Sequence, residues 1–263
     1  MRRSVFVVLL CVFLTGCFEI EQNITLDKNL SGTADFHLGI DMEPMVVIMA
    51  QVGRQMEGKK GPMTAAELKK AKDDFKKGMT KKEKTEPPPT LAQMQKEMAK
   101  DMPKGIKLLG FTASEKEFGM ATDMKFGFDR LSNLVGVKLP QKEGGDPTQK
   151  NVMDTPFQGL EVIEKGNLIT IQTKPTNPAS KVEEQAKESG GPKIDPETEK
   201  MMKDAFSKLR VVYRLTAPFT IVSHNATRKE GNTLIWEYDM KRFEQMEKSK
   251  KLDDFGVKVV YRR

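Results

Sequence analysis

The strongest constraint on the fold is a series of segments in which apolar and polar residues alternate. The first run places Phe18 and Ile20 at period two and, after a shift of phase, Ile24 and Leu26; a second run follows in GTADFHLGI. DKNLSG, which separates the two runs, has the composition of a turn. Because successive side chains of a strand point to opposite faces, these runs predict an antiparallel hairpin.

The same alternation returns further along the chain. IKLLGFTASEKEF and GMATDMKFGFD predict a hairpin about Gly119, and LEVIEKGNLITIQ predicts another about the Gly166-Asn167 turn. Four more strands are predicted in RVVYRL, FTIVSH, NTLIWEYDM and FGVKVVYRR. Trp236, the only tryptophan, shares a strand face with Leu234 and Tyr238. We therefore predict that its side chain is buried.

Helical periodicity predicts three helices between the first two hairpins, in a segment rich in lysine and methionine that spans residues 42–104. Asp41 is placed to cap the first helix, and the second and third open with capping boxes, Thr64 with Glu67 and Thr90 with Gln93. The apolar positions of the three helices are, in order, Met42, Met45, Met49, Val52 and Met56; Leu68, Ala71, Phe75 and Met79; and Leu91, Met94, Met98 and Met102.

Strand hairpins interrupted by helices, without a βαβαβ rhythm, predict an α+β fold with a mainly antiparallel β-sheet. The lysine- and methionine-rich helical segment is then an insert in that sheet. A Pro-, Gly-, Ser- and charge-rich stretch, residues 175–196, is interpreted as a flexible linker that precedes a short helix. The whole of 17–263 is interpreted as a single α+β domain.

The N-terminus combines Arg2 and Arg3 with a short apolar run that is too short to span a bilayer. This is the composition of a secretory signal. The residues LTGC that end it at Cys17 resemble a bacterial lipobox. That resemblance implies removal of residues 1–16 and acylation of Cys17, which anchors the protein to a membrane. The alternative is an ordinary secretory signal in which Cys17 is incidental.

Charge is unevenly distributed along the chain. Loss of residues 1–16, which include Arg2 and Arg3, lowers the net charge from +7 to +5 and leaves Cys17 as the one cysteine, so no intrachain disulfide forms. Residues 59–107 contain fourteen lysines and seven acidic residues, a net charge of +7. An exported protein does not meet nucleic acid, so an anionic membrane surface is the predicted partner of this positive charge.

Motifs for catalysis are absent from the sequence: it contains no nucleophile elbow, zinc-protease motif, phosphate loop or dinucleotide fingerprint. The two histidines, His37 and His224, lie in different predicted strands, and acylation would consume the thiol of Cys17. Asp27 opens a turn that begins like a calcium loop, but Leu38 stands where the bidentate Glu belongs, so a hydrogen-bonded turn is favoured. We predict no catalytic residue, no metal site and no cofactor.

Eleven methionines lie between Met42 and Met124, a number that suits an apolar partner of irregular shape. The alternative for each single methionine is that it fills the core. Narrow apolar stripes beside lysines suit a helix at an anionic membrane surface, a helix over an apolar groove, or a surface for a partner protein. The candidate membrane or ligand contacts are Lys69, Lys76, Lys96, Lys100, Leu91, Met94 and Met98. The competing interpretation is a solvated insert that touches nothing.

Both ends of the mature sequence resemble one family. LTAPFTIVSHNATRKEGNTLIWEYDM, residues 215–240, is similar to the closing segment of LppM-type bacterial lipoprotein domains, and CFEIEQNITLDKNLSGTADFHLGI resembles their opening hairpin. The resemblance covers about 80 residues at the two ends of this chain. It implies an envelope lipoprotein with a sheet-based lipid-binding or interaction domain, and no catalytic residues.

The leading functional hypothesis is a non-enzymatic, lipid-anchored envelope lipoprotein that binds a lipid, an acyl chain or a protein partner. The alternative is a structural or assembly factor that docks on another envelope protein through its basic helices, and a hydrolase is the third. Phe18 follows the cysteine, where in lipoproteins of enteric bacteria an Asp favours retention in the inner membrane. The expected location is therefore the bacterial cell envelope, on the periplasmic side of the outer membrane if the cell has one. The sequence carries no signal for an oligomeric state.

Overall fold

The computed structural model describes residues 17–59, 61–82, 88–139, 157, 159–173, 196–249 and 255–263. The predicted signal, residues 1–16, lies outside these ranges. So does the predicted linker, apart from its last residue, Pro196, which is the first residue of a helix.

Eleven strands and five α-helices follow one another along the described chain. In order they are β1 (Cys17–Leu26), β2 (Gly32–Asp41), α1 (Glu43–Met56), α2 (Ala65–Lys82), α3 (Leu91–Met98), β3 (Ile106–Lys116), β4 (Gly119–Phe128), a 3-10 helix (Leu131–Gly136), β5 (Leu160–Lys165), β6 (Leu168–Thr173), α4 (Pro196–Phe206), β7 (Arg210–Thr216), β8 (Thr220–His224), β9 (Arg228–Glu230), β10 (Thr233–Asp239), α5 (Met240–Lys248) and β11 (Lys258–Arg262).

The strands form two sheets. One has seven strands in the order β3-β4-β2-β1-β7-β10-β9, and the other has four in the order β5-β6-β11-β8. Every pair is antiparallel except β1 with β7, which is parallel. The predicted α+β class with a mainly antiparallel sheet is therefore confirmed, and α1, α2 and α3 form the helical segment between β2 and β3.

The first hairpin is continuous. Phe18 lies opposite Ile40 and Leu26 opposite Gly32, with no interruption of the register. The shift of phase that we inferred from the sequence is wrong, because Gln22 is buried at the inward position between Ile20 and Ile24. Because Gln22 is polar, the regular alternation of inward-facing residues along β1 was not recognised in the sequence.

The turn of that hairpin is closed by its own polar side chains. The Ser31 backbone N–H donates to Asn29 Oδ1 at 3.3 Å, and the Ser31 hydroxyl lies 2.8 Å from Asn29 Oδ1 and 3.1 Å from Asp27 Oδ2. Gly32 is required where the second strand begins, because a Cβ there would lie 1.9 Å from the Thr25 carbonyl oxygen. These contacts are those of the hydrogen-bonded turn favoured by the sequence.

Side chains from both sheets share one hydrophobic core. The seven-stranded sheet contributes Trp236 and Phe126, the four-stranded sheet contributes Ile171 and Tyr261, and the 3-10 helix adds Leu134. Trp236 is fully buried, as predicted, and its indole Nε1–H donates to Asn225 Oδ1 at 2.6 Å. The 3-10 helix, β9 and α5 were not foreseen from the sequence.

Candidate functional site

Cys17 is the first residue of β1, the central strand of the seven-stranded sheet. It lies opposite Asp41 at the end of β2, and Asp41 lies opposite Gly119 at the start of β4. We call this end of the three strands the Cys17 end. Helix α1 begins two residues after Asp41, whose carboxylate accepts a hydrogen bond from the Glu43 N–H at 3.0 Å.

Helices α1 and α2 are bound to each other and to the Cys17 end. Arg54 near the end of α1 lies 3.3 Å from the Glu67 carboxylate near the start of α2, and Lys72 pairs with Glu43. The paired ends run in opposite directions, so the two helices form an antiparallel hairpin.

The β3–β4 turn is where α2 rests. The rings of Phe75 and Phe118 are 6.4 Å apart, and Lys76 pairs with Glu117 while its Nζ lies 5.1 Å from the centre of the Phe118 ring. The hydrogen bond with Glu117 raises the pKa of Lys76, although partial desolvation opposes it. The Met42 N–H donates to the Phe118 carbonyl at 2.6 Å, so the whole helical hairpin is fixed at the Cys17 end.

The buried side of α1 differs from the predicted methionine stripe. Met45, Val46 and Ile48 are buried, whereas Met49 is 61% and Met56 is 75% exposed. The sequence pattern predicted the helix but did not indicate which of its apolar side chains are buried. A stripe of methionines fits either a core or a surface. The helices that pack against α1, namely α2 and α4, leave Met49 and Met56 uncovered.

Helix α3 lies on the core, away from the helical hairpin. Met94 and Met98 are 7% and 3% exposed, and Leu91 is half-buried against the same core. Gln95 Nε2 donates to the Leu108 carbonyl on β3 at 2.8 Å. The three apolar candidates for membrane contact therefore pack inside the protein, which corrects the role expected of them.

The four candidate lysines separate into two groups. Lys69 is exposed on α2 and Lys76 is ion-paired on the same helix, so both belong to the hairpin at the Cys17 end. Lys96 and Lys100 are exposed on and just after α3. Helix α3 contacts β3 at Leu108. Strand pairing across β4 and β2 aligns Leu108 with Ile24 of β1, which is seven residues along the strand from Cys17. The lysines do not form one patch.

The outer face of the seven-stranded sheet, opposite the core, holds an open groove of about 470 Å³. It crosses four strands, and polar or charged side chains line most of it: Glu19, Glu21, Asn23, Asp35, His37, Thr112, Asp123 and Lys125. These residues alternate with core residues along their strands. Apart from His37, these residues were not predicted, because the alternation identifies the core face of a strand and does not indicate which polar residues on the other face line a groove.

Arginines from β7 border one side of the groove. Arg210 lies 2.8 Å from Glu19, 2.5 Å from Glu21 and 3.1 Å from Glu237. Arg214 donates to Glu21 at 2.9 Å and to Asn23 at 3.0 Å. Burial alone would raise the pKa of Glu21, but the hydrogen bonds and charges of Arg214 and Arg210 outweigh it and hold that pKa below its usual range.

The rest of the groove also consists of paired groups. His37 Nδ1 lies 2.6 Å from Asp123 Oδ1, the Thr112 hydroxyl donates to Asp123 Oδ2 at 3.2 Å, and Lys125 lies 3.5 Å from Asp35. Thr112 donates to the aspartate and not to the histidine, so the three side chains do not form a chain from nucleophile to base.

His224, the second histidine, is distant from this groove in the fold, and its Nδ1 accepts the Ala226 N–H at 3.1 Å. Within the described ranges, no group of three or more His, Cys, Asp or Glu side chains is arranged to hold a metal ion. The helices that the structure describes include none with the length and apolar character needed to cross a membrane.

Comparison with known proteins gives distant structural likeness and no sequence match. No family model matches the sequence, and no curated protein does. Among solved structures, the NMR structure of the folded domain of LppM from Mycobacterium tuberculosis is similar, with a TM-score of 0.42 and 8% sequence identity over 94% of this chain and 91% of that chain.

Proposed function

We propose that this protein is a lipid-anchored component of a bacterial cell envelope that acts by binding and not by catalysis. The observation that supports an anchor at Cys17 is its position as the first residue of the central strand. A lipid on Cys17 would join the folded domain directly, without a tether. The proposed location is the periplasmic side of the outer membrane, if the cell has one.

Metabolic labelling with a fatty-acid analogue tests the anchor. Cys17→Ser should abolish labelling, because no cysteine follows residue 17. Cys11→Ser is the matched control and should leave the label unchanged, since residue 11 belongs to the predicted signal. A labelled band that persists in Cys17→Ser would contradict lipid attachment at this residue.

The polar groove on the outer face is the proposed binding site. A pocket for an acyl chain is mostly apolar, whereas eight of the twelve residues that line this groove are polar or charged, with Phe36, Phe111 and Met124 as its apolar part. The core between the sheets is occupied by large side chains such as Trp236 and Tyr261. Of the ligands considered from the sequence, a polar lipid headgroup or a polar segment of an envelope protein suits the groove better than an acyl chain.

Native mass spectrometry of the purified protein tests the groove. A bound lipid or peptide should be retained by the wild type and lost from Asp123→Ala, which removes the shared partner of His37 and Thr112. Asp74→Ala, an exposed carboxylate on α2, is the control. Equal retention in both variants would place the ligand elsewhere.

The second candidate function is assembly through the basic helices. Helix α2 supports it, because its eighteen residues include seven lysines and three acidic residues. Docking on another envelope protein through α2 predicts that Lys69→Glu weakens the complex while Asp123→Ala does not. No contact in the groove favours the hydrolase considered third.

A further inference from the structure

The Cys17 end carries more than the cysteine. Cys17, Asp41 and Gly119 are aligned across β1, β2 and β4, and the β3–β4 turn that supports α2 adjoins Gly119. Adjacent strands are about 4.8 Å apart, so β4 lies about 10 Å from β1 across the sheet. The hairpin of α1 and α2 is therefore attached close to the point where a lipid on Cys17 would enter the membrane.

The most exposed large apolar side chains of the described chain lie on that hairpin. Met49 and Met56 are 61% and 75% exposed, and the next, Leu109, is 48% exposed. They are seven residues apart, which puts them two turns apart on one side of α1. Gly53 lies between them and adds no side chain that would hold this strip away from a surface.

The neighbouring helix supplies a net positive charge. Helix α2 has a net charge of +4, and Lys69 and Lys70 are exposed. Anionic lipid headgroups attract lysines near the membrane, and methionine is a flexible apolar side chain that can enter the boundary between headgroups and acyl chains. This combination of exposed methionine and lysine fits an anionic bilayer.

We infer that the α1–α2 hairpin docks on an anionic membrane surface, with Met49 and Met56 at the level of the headgroups. The inference rests on the proposed lipid anchor at Cys17, which holds the Cys17 end at the bilayer. Docking would orient the domain and keep the outer-face groove at a fixed angle to the membrane. It assigns the contact to α1 and α2 and excludes α3.

The structure also supplies the control surface. Leu108, the contact point of α3, is aligned with Ile24, about 23 Å from Cys17 at 3.3 Å per strand residue. Lys96 and Lys100 are thus exposed lysines far from the Cys17 end. Leu109 on β3 and Val222 on β8 are exposed apolar residues outside the hairpin.

The test uses the mature lipidated protein in vesicles that contain phosphatidylglycerol. Acylation blocks the Cys17 thiol, so a cysteine introduced by Met49→Cys or Met56→Cys is the sole thiol for an environment-sensitive fluorophore. Labels at both positions should shift their emission to the blue and resist an aqueous quencher. Labels at Leu109→Cys and Val222→Cys should do neither.

Charge reversal completes the experiment. Lys69→Glu with Lys70→Glu should reduce the shift at Met56→Cys, as should high salt, whereas Lys96→Glu with Lys100→Glu should not. Emission from Trp236 verifies that each variant is folded. Protein that fails to float with the vesicles refutes the anchor and the docking together. If the protein floats but the labels on α1 remain accessible to the aqueous quencher, or respond as the control labels do, docking alone is refuted.

Discussion

Asn225 connects three parts of the chain that are distant in sequence. Its Oδ1 accepts hydrogen bonds from the Trp236 indole at 2.6 Å and from the Lys258 N–H at 2.8 Å, and its Nδ2 donates to the Gly256 carbonyl at 3.1 Å. One amide side chain thus pairs polar groups from β10 and from the segment that enters β11. Losing it would leave a buried indole N–H without its acceptor.

Asn225→Ala should therefore lower the free energy of unfolding by about 2 kcal/mol, within the range for a buried donor left unpaired. Denaturant unfolding followed by Trp236 fluorescence measures the change. Asn232→Ala, at an exposed turn position, is the control and should change stability by less than about 0.5 kcal/mol. Equal effects of the two substitutions would show that the Asn225 contacts contribute little.

At the scale of single residues, the sequence predicted burial and could not predict partners. The alternation of Leu234, Trp236 and Tyr238 was enough to place the indole in the core. The partner of its N–H lies on a turn eleven residues earlier, and that choice depends on how β8, β10 and β11 come together. Short-range periodicity contains no information on that arrangement.

Helices α2 and α3 open with the same capping box but are embedded differently. Thr64 and Glu67 exchange hydrogen bonds at the start of α2, and Thr90 and Gln93 do so at the start of α3. The Thr64 backbone N–H is the main cause that lowers the pKa of Glu67. Only α3 places fully buried side chains, Met94 and Met98, in the core.

Removing each cap should have distinguishable effects. Thr90→Ala should lower the global free energy of unfolding by about 1 kcal/mol, because α3 unfolds with the core it covers. Thr64→Ala should leave global stability nearly unchanged and speed amide hydrogen exchange at the start of α2. Denaturant unfolding and hydrogen exchange by mass spectrometry separate the two. A larger global loss in Thr64→Ala would mean that α2 is part of the main cooperative unit.

Glu21 should make the contact between β1 and β7 sensitive to acid. Its pKa is lowered in the folded protein, since the hydrogen bonds and charges of Arg214 and Arg210 exceed the opposing effect of burial. A lowered folded pKa stabilises the protein above the unfolded value of about 4.5 and loses that contribution as the pH falls through the folded pKa.

The free energy of unfolding should thus decrease as the pH is lowered below about 4.5. Glu21→Gln should flatten that decrease, and Glu115→Gln, at the exposed end of β3, should retain the wild-type slope. Urea midpoints measured from neutral to acidic pH give the comparison. A Glu21→Gln slope identical to that of the wild type would contradict the assignment.

At the scale of elements, the sequence predicted structures formed by neighbouring residues and did not predict contacts between distant ones. Hairpins and capping boxes are encoded by neighbouring residues, and the sequence located them. The parallel pairing of β1 with β7 joins residues about 190 positions apart, so the arginine contacts at the groove could not be anticipated. Which methionine stripe faces the core was also undetermined, because a helix fixes spacing and its neighbours select the buried side.

At the scale of the whole molecule, Tyr238 joins the two sheets. Its hydroxyl donates to the Gly256 carbonyl at 2.9 Å and accepts the Gly256 N–H at 3.0 Å. The next residue, Val257, donates its N–H to Thr173 Oγ1 of β6 at 2.9 Å. A Cβ at Gly256 would lie 2.1 Å from that Thr173 oxygen, so only glycine fits between the tyrosine and β6.

These contacts predict that both sheets unfold as one cooperative unit, as the single-domain interpretation requires. Tyr238→Phe leaves the Gly256 N–H without its acceptor in a buried position, while the Gly256 carbonyl keeps the hydrogen bond from Asn225 Nδ2. The substitution should lower the free energy of unfolding by about 2 kcal/mol. Tyr213→Phe is the matched control. Burial and the nearby Tyr238 raise the pKa of Tyr213 to about 12. Loss of the Tyr213 hydroxyl should change the free energy of unfolding far less than loss of the Tyr238 hydroxyl.

Trp236 fluorescence reports on the seven-stranded sheet, and hydrogen exchange of β6 and β11 reports on the four-stranded one. Both should give the same free energy of unfolding in the wild type and should fall together in Tyr238→Phe, because the shared core leaves neither sheet a buried face of its own. Two separate transitions would show that the sheets are independent units. The outer-face groove would then belong to a domain made of the seven-stranded sheet alone.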